Sequence, residues 1–345
     1  MKRGLLKVLM TGLTIFLVSC GGNKDESKQE VKPQAKVAEK RVMKLSTKFV
    51  EDEQTAKTLH IVANKINERL KGNLEVQVFT GGQLPIGKDS MEQVVSGANW
   101  ISVDGLNFLG DYVPDYNAVV GPMLYSNFDE YLAMTKSDLV KNLNLEAEKK
   151  GIKVLSLDYL FGFRSMLTEK EVKVPEDLKG LKIRVPNSQL YMLTLEAMGA
   201  NPTPLPFTEV YSGIQQKVVD GLEGSLMTIY GTKIYEVRKQ VSLTNHLLGV
   251  SGIVMSKKVW DDLNDEQRMV IEEEFYNGSL YNTEETIKLE GEYQKQLEEL
   301  GVKFNEVDSE AFNKAIANVY NQFPKWTPGI YDKIMEELNK IRENN

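Results

Sequence analysis

The sequence has little of what metal centres and nucleophilic active sites are usually built from. Its 345 residues include one cysteine, Cys20, and two histidines, His60 and His246. A single cysteine excludes an intramolecular disulfide, and so few cysteines and histidines argue against a zinc site or a cysteine–histidine nucleophile. Excess positive charge is also missing, because the formal net charge is −7. Nucleic-acid binders usually carry a basic face, so we expect no nucleic-acid partner.

Common catalytic and nucleotide-binding motifs are absent as well. The sequence has no Gly-x-Gly-x-x-Gly after a strand, no phosphate-binding loop and no Gly-x-Ser-x-Gly turn. Carboxylates cluster at residues 261–262 and 272–274, but they lie on amphipathic helical stretches, which is typical of solvated faces. We therefore expect no catalytic residue, no cofactor and no metal, with an extracytoplasmic enzyme that uses these acids as an alternative.

The N-terminus has the pattern of a bacterial lipoprotein signal. A basic start precedes a mostly apolar run over residues 5–18, which is too short for a comfortable membrane span. Cleavage of a signal peptide over 1–19 would make Cys20 the lipidated first residue, and acyl chains would then anchor the protein. An ordinary secretory signal is the alternative. Residues 20–41 are polar and contain no aromatics, which predicts a disordered tether to an extracytoplasmic domain held at a membrane.

From residue 42 onward the hydrophobic pattern alternates between the period of strands and that of helices. A predicted helix over 55–70 lies between predicted strands over 43–50 and 74–79, and a helix over 88–96 precedes another apolar stretch. This βαβα order predicts an α/β fold with a mainly parallel sheet. Further strands are predicted over 152–157, 162–168, 181–185, 241–248, 250–255 and 302–305, and further helices over 128–150, 188–198, 207–217, 309–321 and 328–342.

The acidic segment 264–300 is longer than a typical globular helix. Asn264 is a good helix-capping residue, so a helix is expected to begin there. The segment fits either two helices split at residues 277–278 or one helix that spans two lobes, and the pattern alone favours neither.

Two arginines, Arg164 and Arg184, lie in apolar, strand-like surroundings rather than on polar helix faces. A guanidinium stays charged in a protein, so a half-buried one needs an anion or several acceptors. Each arginine either pairs with a protein carboxylate or stays free for a ligand carboxylate, which its fork would bind bidentately. His246 lies between apolar residues and is interpreted as a structural histidine rather than a ligand contact.

Three motifs resemble those of the solute receptors of tripartite ATP-independent periplasmic (TRAP) transporters, the DctP-like family. They are LKGLKIRVPN, NPTPLPFTEVYSGIQQKVVDGLEG and YEVRKQVSLTNH, which recur in that order at matching spacing. The resemblance runs from about residue 42 to the C-terminus. It implies a two-lobed, periplasmic-binding-protein-like α/β fold, with a ligand cleft between the lobes and a long helix spanning both. Lobe I would comprise 42–161 and about 250–289, and lobe II would comprise 162–249 and about 290–345 with the C-terminal helices.

The resemblance also implies a function. The protein would be an extracytoplasmic receptor that captures a small organic acid, such as a keto acid, sugar acid or C4-dicarboxylate, and delivers it to a membrane permease. A ligand-presenting sensor for a receptor kinase is the alternative, and a monomer is expected. By this resemblance Arg184 would clamp the ligand carboxylate, Arg164 would assist, and Phe207 would pack against the ligand.

One position departs from the family pattern. Many members that bind sialic acid or C4-dicarboxylates carry an asparagine after Asp-Gly-x-Glu, where this sequence has Gly224. The missing amide contact would be supplied by Ser225, Asn245 or water. Further candidates for the cleft, at loop or strand-end positions of the first lobe, are Gln83, Asp104 and Asn107.

Overall fold

Alternating strands and helices build one mixed nine-stranded sheet in the computed structural model, which describes residues 40–344. The predicted signal peptide, Cys20 and the predicted tether up to residue 39 lie outside the described residues. The strands are β1 (Arg41–Thr47), β2 (Leu74–Phe79), β3 (Trp100–Gly105), β4 (Ile152–Thr168), β5 (Lys182–Val185), β6 (Asn201–Pro204), β7 (Gly221–Ser225), β8 (Gln240–Ser256) and β9 (Lys303–Asn305).

Helices cover the sheet and carry its crossover connections. Within residues 40–344 no helix combines the length and the apolar character needed to cross a membrane. The α-helices are α1 (Gln54–Arg69), α2 (Gly87–Ser96), α3 (Leu106–Leu109), α4 (Asp115–Val119), α5 (Phe128–Thr135), α6 (Asp138–Lys149), α7 (Gln189–Ala197), α8 (Val210–Gln215), α9 (Leu226–Gly231), α10 (Lys257–Asp261), α11 (Asp265–Glu299), α12 (Ser309–Ile316) and α13 (Ile330–Asn344), with 3-10 turns at Pro175–Leu178, Phe207–Glu209, Ile234–Glu236 and Val319–Gln322.

The sheet has two parallel groups joined by antiparallel pairs. Its order is β2-β1-β3-β8-β4-β7-β5-β6, with β9 against β8. Strand β1 runs parallel to β2 and β3, and β5 runs parallel to β6 and β7, as the βαβ order predicts. The central pairs β3–β8, β4–β8 and β4–β7 are antiparallel. The α/β class is therefore confirmed, and the mainly parallel pattern holds within each group but not at the centre.

Two strands of 17 residues each, β4 and β8, cross the middle of the sheet. The sequence pattern had predicted each as two short strands, and this prediction was wrong. Glycines fall at the predicted breaks, but Gly162 and Gly249 face each other inside the ladder, next to a register shift between Leu160 and Gly162. A Cβ atom on Gly249 would lie 2.5 Å from the Gly162 carbonyl oxygen. These glycines permit a close backbone approach rather than ending the strands.

Residues 265–299 form one continuous helix of 35 residues, α11. Its N-cap is reciprocal, because the Asn264 side chain accepts from the Gln267 amide at 2.9 Å and the Gln267 side chain accepts from the Asn264 amide at 3.1 Å. Gly278 lies at the possible split between two helices. A Cβ atom added there would lie 2.3 Å from the Tyr159 hydroxyl. The glycine permits close packing on β4, and the single-helix interpretation is confirmed.

Side chains of α11 complete the hydrogen bonding of β4 where its ladder is irregular. Asn282 Nδ2 and Thr286 Oγ1 donate to the Leu160 carbonyl at 2.7 and 3.0 Å. Further along, Glu290 accepts from the Phe163 amide at 3.2 Å. Buried backbone groups need partners, so these contacts tie the long helix to the crossing strand.

Other predictions also differ from the structure. The helix predicted over 128–150 is two helices, α5 and α6, because Ser137 is extended and its hydroxyl accepts from the Val140 amide at 3.3 Å, capping α6. Strands β6 and β7 were missed. Strand β6 lies at the edge of the sheet, where its two prolines are tolerated, and β7 is short and contains two glycines.

Candidate ligand-binding site

A cleft of about 650 Å³ lies at the carboxyl ends of the parallel strands. One wall comes from the segment 82–89 after β2, from residues 104 and 105 at the end of β3 and from residues 107 and 108 of α3. The opposite wall comes from the end of β5 and from the loop 204–208 after β6, and the crossing strand β4 contributes Phe161 and Arg164. Ligands of open α/β sheets bind at such strand ends, and the volume suits a small molecule.

Arg184 reaches the cleft from β5 and has no carboxylate partner within the described residues. The residue is 5% exposed, and its Nε donates to the Leu205 carbonyl at 2.9 Å. Neither terminal nitrogen makes a hydrogen bond to any residue of 40–344. Burial lowers the pKa of Arg184 to about 10 despite the opposing charge of Glu223. The guanidinium thus has two nitrogens free to bind an anion in the cleft.

Arg164, by contrast, is paired with a protein carboxylate. Its Nε lies 2.5 Å from Glu223 Oε2 and its Nη2 lies 2.7 Å from Glu223 Oε1, a bidentate pair. Glu223 is fully buried; burial alone would raise its pKa, but the charge of Arg164 prevails and lowers the pKa to about 2. Of the two alternatives for these arginines, Arg164 shows the paired state and Arg184 the free one.

A third cation, Lys48, was missed by the sequence reasoning. It directly follows β1, lines the cleft and is half-buried. Its Nζ lies 4.8, 4.7 and 5.1 Å from the ring centroids of Phe49, Phe161 and Phe207. Burial, followed by the charge of Arg164, lowers the pKa of Lys48 to about 8. The sequence did contain a pattern that could have identified Lys48 as a cleft residue: a lysine at the carboxyl end of a predicted parallel strand, next to an aromatic residue.

Polar groups from the first group of strands face these cations. Gln83, Asp104 and Asn107 all line the cleft. Asp104 accepts from the amides of Gly87 and Gly105 at 2.6 and 2.8 Å, and burial raises its pKa. Asn107 Nδ2 is buried without a hydrogen-bond partner among residues 40–344. This wall can exchange hydrogen bonds with hydroxyl groups of a ligand.

Gly224, Ser225 and Asn245 are not among the residues that line the cleft. Gly224 pairs with Ser165 in the β4–β7 ladder, and Ser225 caps α9 by accepting from the Thr228 amide at 3.3 Å. Asn245 is exposed and accepts from the Ser165 hydroxyl at 3.1 Å. The structure therefore brings Arg164, Arg184, Phe207, Gln83 and Asp104 together and places Gly224 and Asn245 apart from them.

His246 is fully buried next to the Arg164–Glu223 pair. Its Nδ1 lies 2.8 Å from the Thr244 hydroxyl, and its Nε2 lies 3.6 Å from Glu223 Oε2 without a hydrogen bond. Burial lowers the pKa of His246, which keeps the ring neutral near pH 7. The histidine packs behind the cleft, consistent with a structural role.

The cleft combines cations with aromatic walls. Arg184 Cζ lies 5.5 Å from the Phe207 ring centroid, and Arg164 Cζ lies 5.2 Å from that of Tyr191. No group of three or more histidine, cysteine, aspartate or glutamate side chains placed to hold a metal ion occurs within residues 40–344. The arrangement can bind the anionic group of a small ligand between Arg184 and Lys48 and contact the rest of the ligand with Phe207 and the Asp104 wall.

Comparison with known proteins identifies relatives over most of the chain. The family model for bacterial extracellular solute-binding proteins, family 7 (DctP), matches residues 45–325. The 2,3-diketo-L-gulonate-binding periplasmic protein YiaO of Escherichia coli K12 is 30% identical over 294 residues, which cover 82% of this chain and 88% of that protein.

Solved structures share the fold. A TRAP periplasmic solute-binding protein of Fusobacterium nucleatum with bound sn-glycerol-3-phosphate has a TM-score of 0.87 and 63% identity, covering 88% of this chain and 99% of that chain. A TRAP periplasmic solute-binding protein of Desulfovibrio salexigens in complex with diglycerolphosphate has a TM-score of 0.87 and 48% identity, covering 89% and 99%.

Proposed function

Because the chain belongs to the family 7 bacterial extracellular solute-binding proteins, we propose that its cleft captures a small organic anion for a TRAP permease, with Arg184 as the principal anion-binding residue. Proteins of this family are extracytoplasmic receptors rather than enzymes, and they work with membrane permease subunits. The observation that carries the proposal is the buried guanidinium of Arg184, whose terminal nitrogens lack a partner among residues 40–344.

Two kinds of anionic group fit this cleft. A carboxylate is the group predicted from the sequence, and the E. coli relative is named for binding a sugar acid. A phosphate ester of glycerol is the second candidate, because the F. nucleatum and D. salexigens structures hold such esters at 63% and 48% identity. Lys48 favours this second candidate, since it adds a second cation without a protein carboxylate at ion-pair distance within the described residues.

Ligand binding is proposed to close two lobes, residues 42–161 with about 250–289 and residues 162–249 with about 290–345. The boundaries in β4 and β8 coincide with the facing glycines Gly162 and Gly249, where the ladder is irregular. An anion bound by both walls would have a higher affinity for the closed form than for the open form. Only that difference in affinity shifts the equilibrium between the open and closed forms. Closure would also remove water from the ion pairs and strengthen them.

Attachment of lipid to Cys20 and a monomeric state complete the proposal. The first rests on the sequence pattern around Cys20 and would be tested by labelling cells with a radioactive fatty acid, where Cys20→Ser should lose the label. The second would be tested by light scattering of the protein from which residues 1–39 are removed. A sensor role is not favoured, because the relatives compared above are named as solute-binding proteins.

A thermal-shift panel tests the receptor function directly. The panel comprises sn-glycerol 3-phosphate, glycerate, gluconate, pyruvate and succinate, with glycerol as the uncharged control. A ligand that binds the folded state raises the melting temperature by mass action, so at least one anion should raise it while glycerol does not. Absence of a shift with every anion, at concentrations up to millimolar, would contradict the proposal.

A further inference from the structure

Four cationic side chains line the cleft, and they differ in how they are neutralised. Lys88 Nζ lies 3.6 Å from Asp111 Oδ2. Arg164 is held bidentately by Glu223. Lys48 and Arg184 have no carboxylate within ion-pair distance among residues 40–344. A charge in surroundings this apolar is costly unless an opposite charge approaches it, so the cleft has two unmatched positive charges for one ligand.

The acidic groups that face Lys48 are engaged elsewhere. Both carboxylate oxygens of Asp104 accept backbone amides, from Gly87 and Gly105. Both oxygens of Glu53 are also used, by the Val50 amide at 2.8 Å and the Thr228 hydroxyl at 3.0 Å. The ammonium group of Lys48 lies over aromatic rings instead of binding either carboxylate.

Lys48 and Arg184 approach the same ring from different groups of strands. Lys48 Nζ lies 5.1 Å and Arg184 Cζ lies 5.5 Å from the Phe207 ring centroid. Lys48 follows β1, and Arg184 lies on β5, which belongs to the other parallel group. Both cations therefore border the same part of the cleft, next to Phe207, and they are close enough for the charge of Arg184 to lower the pKa of Lys48.

The charge of the ligand decides whether both cations are matched. A carboxylate has one negative charge and two oxygens, which the fork of Arg184 satisfies alone. A phosphate monoester carries nearly two negative charges at neutral pH and three acceptor oxygens. It can satisfy the fork of Arg184 and still present a charged oxygen to Lys48.

We propose that Lys48 and Arg184 form a phosphate subsite, in which Lys48 binds the second negative charge and makes the receptor prefer a phosphate ester over a carboxylate of the same carbon skeleton. This inference rests on the proposed function, because it assigns the ligand class of the same cleft. Lys48 is thereby a specificity-determining residue, whereas Arg184 binds either kind of anion.

The test compares two ligands in three proteins by isothermal titration calorimetry, using the chain without residues 1–39. The ligands are sn-glycerol 3-phosphate and glycerate. The proteins are wild type, Lys48→Gln and the control Lys44→Gln, which removes the same charge from an exposed position on the same strand, β1. Circular dichroism verifies that all three are folded.

Wild type should bind the phosphate ester more tightly than glycerate. Loss of one charge-assisted contact typically weakens binding about 10- to 100-fold, which is the decrease expected for the phosphate ester in Lys48→Gln. Glycerate binding should change less than about threefold in Lys48→Gln, since its single charge is matched by Arg184. Lys44→Gln should leave both affinities unchanged.

The pH profile separates a direct role from a structural one. A phosphate monoester loses its second charge below about pH 6, so wild-type affinity for it should fall between pH 7.5 and pH 5. The fall should be much smaller in Lys48→Gln. Four other charged groups also face Lys48: Asp104, Glu53, Arg164 and Arg184. They are present in both proteins, and the glycerate titration measures how much they contribute to the pH dependence of binding.

Each contrary result has a distinct meaning. Equal losses for both ligands in Lys48→Gln would overturn its role as the discriminating residue. A wild type that binds glycerate but not sn-glycerol 3-phosphate would overturn the phosphate subsite and leave the receptor function standing. A wild type that binds neither ligand, nor any anion of the thermal-shift panel, would contradict the proposed function itself.

Discussion

Replacing Glu223 by glutamine should destabilise the protein by several kcal/mol, because Glu223 neutralises a buried arginine. Arg164 and Glu223 are 5% and 0% exposed, and two hydrogen bonds of 2.5 and 2.7 Å join them. The carboxyl pKa is about 2 in the folded protein, well below the ordinary glutamate value of about 4.5. At about 1.4 kcal/mol per unit, that difference corresponds to about 3–4 kcal/mol of stability from the ionised form. Breaking a buried pair by removing one partner typically costs a similar amount, about 3–5 kcal/mol.

Urea unfolding of four proteins measures this effect: wild type, Glu223→Gln, Arg164→Met and the double variant. Each single change should lower the free energy of unfolding by about 3 kcal/mol, and the double variant should lose less than the sum, because neither member of the Arg164–Glu223 pair is then left charged without its partner. The pKa of Glu223 also predicts how the free energy of unfolding changes with pH. A depressed carboxyl pKa gives stability that is present above pH 4.5 and lost as pH falls toward 2, so the single Glu223→Gln variant should lack that part of the acid sensitivity. Single-variant losses below about 1 kcal/mol, or fully additive losses, would refute the reasoning.

Two further predictions concern α11 and Glu53. Gly278→Ala should lower the free energy of unfolding by about 1–3 kcal/mol, because its Cβ atom would lie 2.3 Å from the Tyr159 hydroxyl, whereas Gly291→Ala in the same helix meets nothing within 4 Å and should raise it by up to about 1 kcal/mol. Equal effects in thermal melts would contradict this packing. Burial raises the pKa of Glu53 to about 7, so its burial should cost stability progressively as pH rises from 4.5 through 7. Glu53→Gln should therefore gain stability relative to wild type at pH 8 but not at pH 4.5, and a gain independent of pH would show that Glu53 is not protonated on burial.

The sequence predicted those features of the structure that depend on residues close together along the chain. Asn264 predicted where α11 begins, and the helical spacing over 55–70 predicted α1 to within one residue at each end. The apolar surroundings of Arg164 and Arg184 marked both as unusual cations. These features follow from periodicity and capping, which nearest neighbours along the chain determine.

Features that depend on contacts far apart in sequence were not predictable in this way. Glycine at 162 and 249 is typical of a strand break, and only the pairing of β4 with β8 shows that the two residues adjoin inside one ladder. The partner of Arg164 lies 59 residues away at Glu223, so its pairing could not be distinguished from a free state. Lys48 joins the cleft only because β1 and β5 bring their carboxyl ends to the same place.

The most direct test of the account is calorimetric titration of wild type and Arg184→Ala with sn-glycerol 3-phosphate and glycerate, with folding verified by circular dichroism. Removing one partner of a buried charge pair costs about 2–5 kcal/mol, so Arg184→Ala should weaken binding of every anion by about 30-fold or more. The protein should remain folded, because Arg184 makes one hydrogen bond, to the Leu205 carbonyl, among the described residues. Unchanged affinity in folded Arg184→Ala would contradict the central claim that this guanidinium binds the ligand.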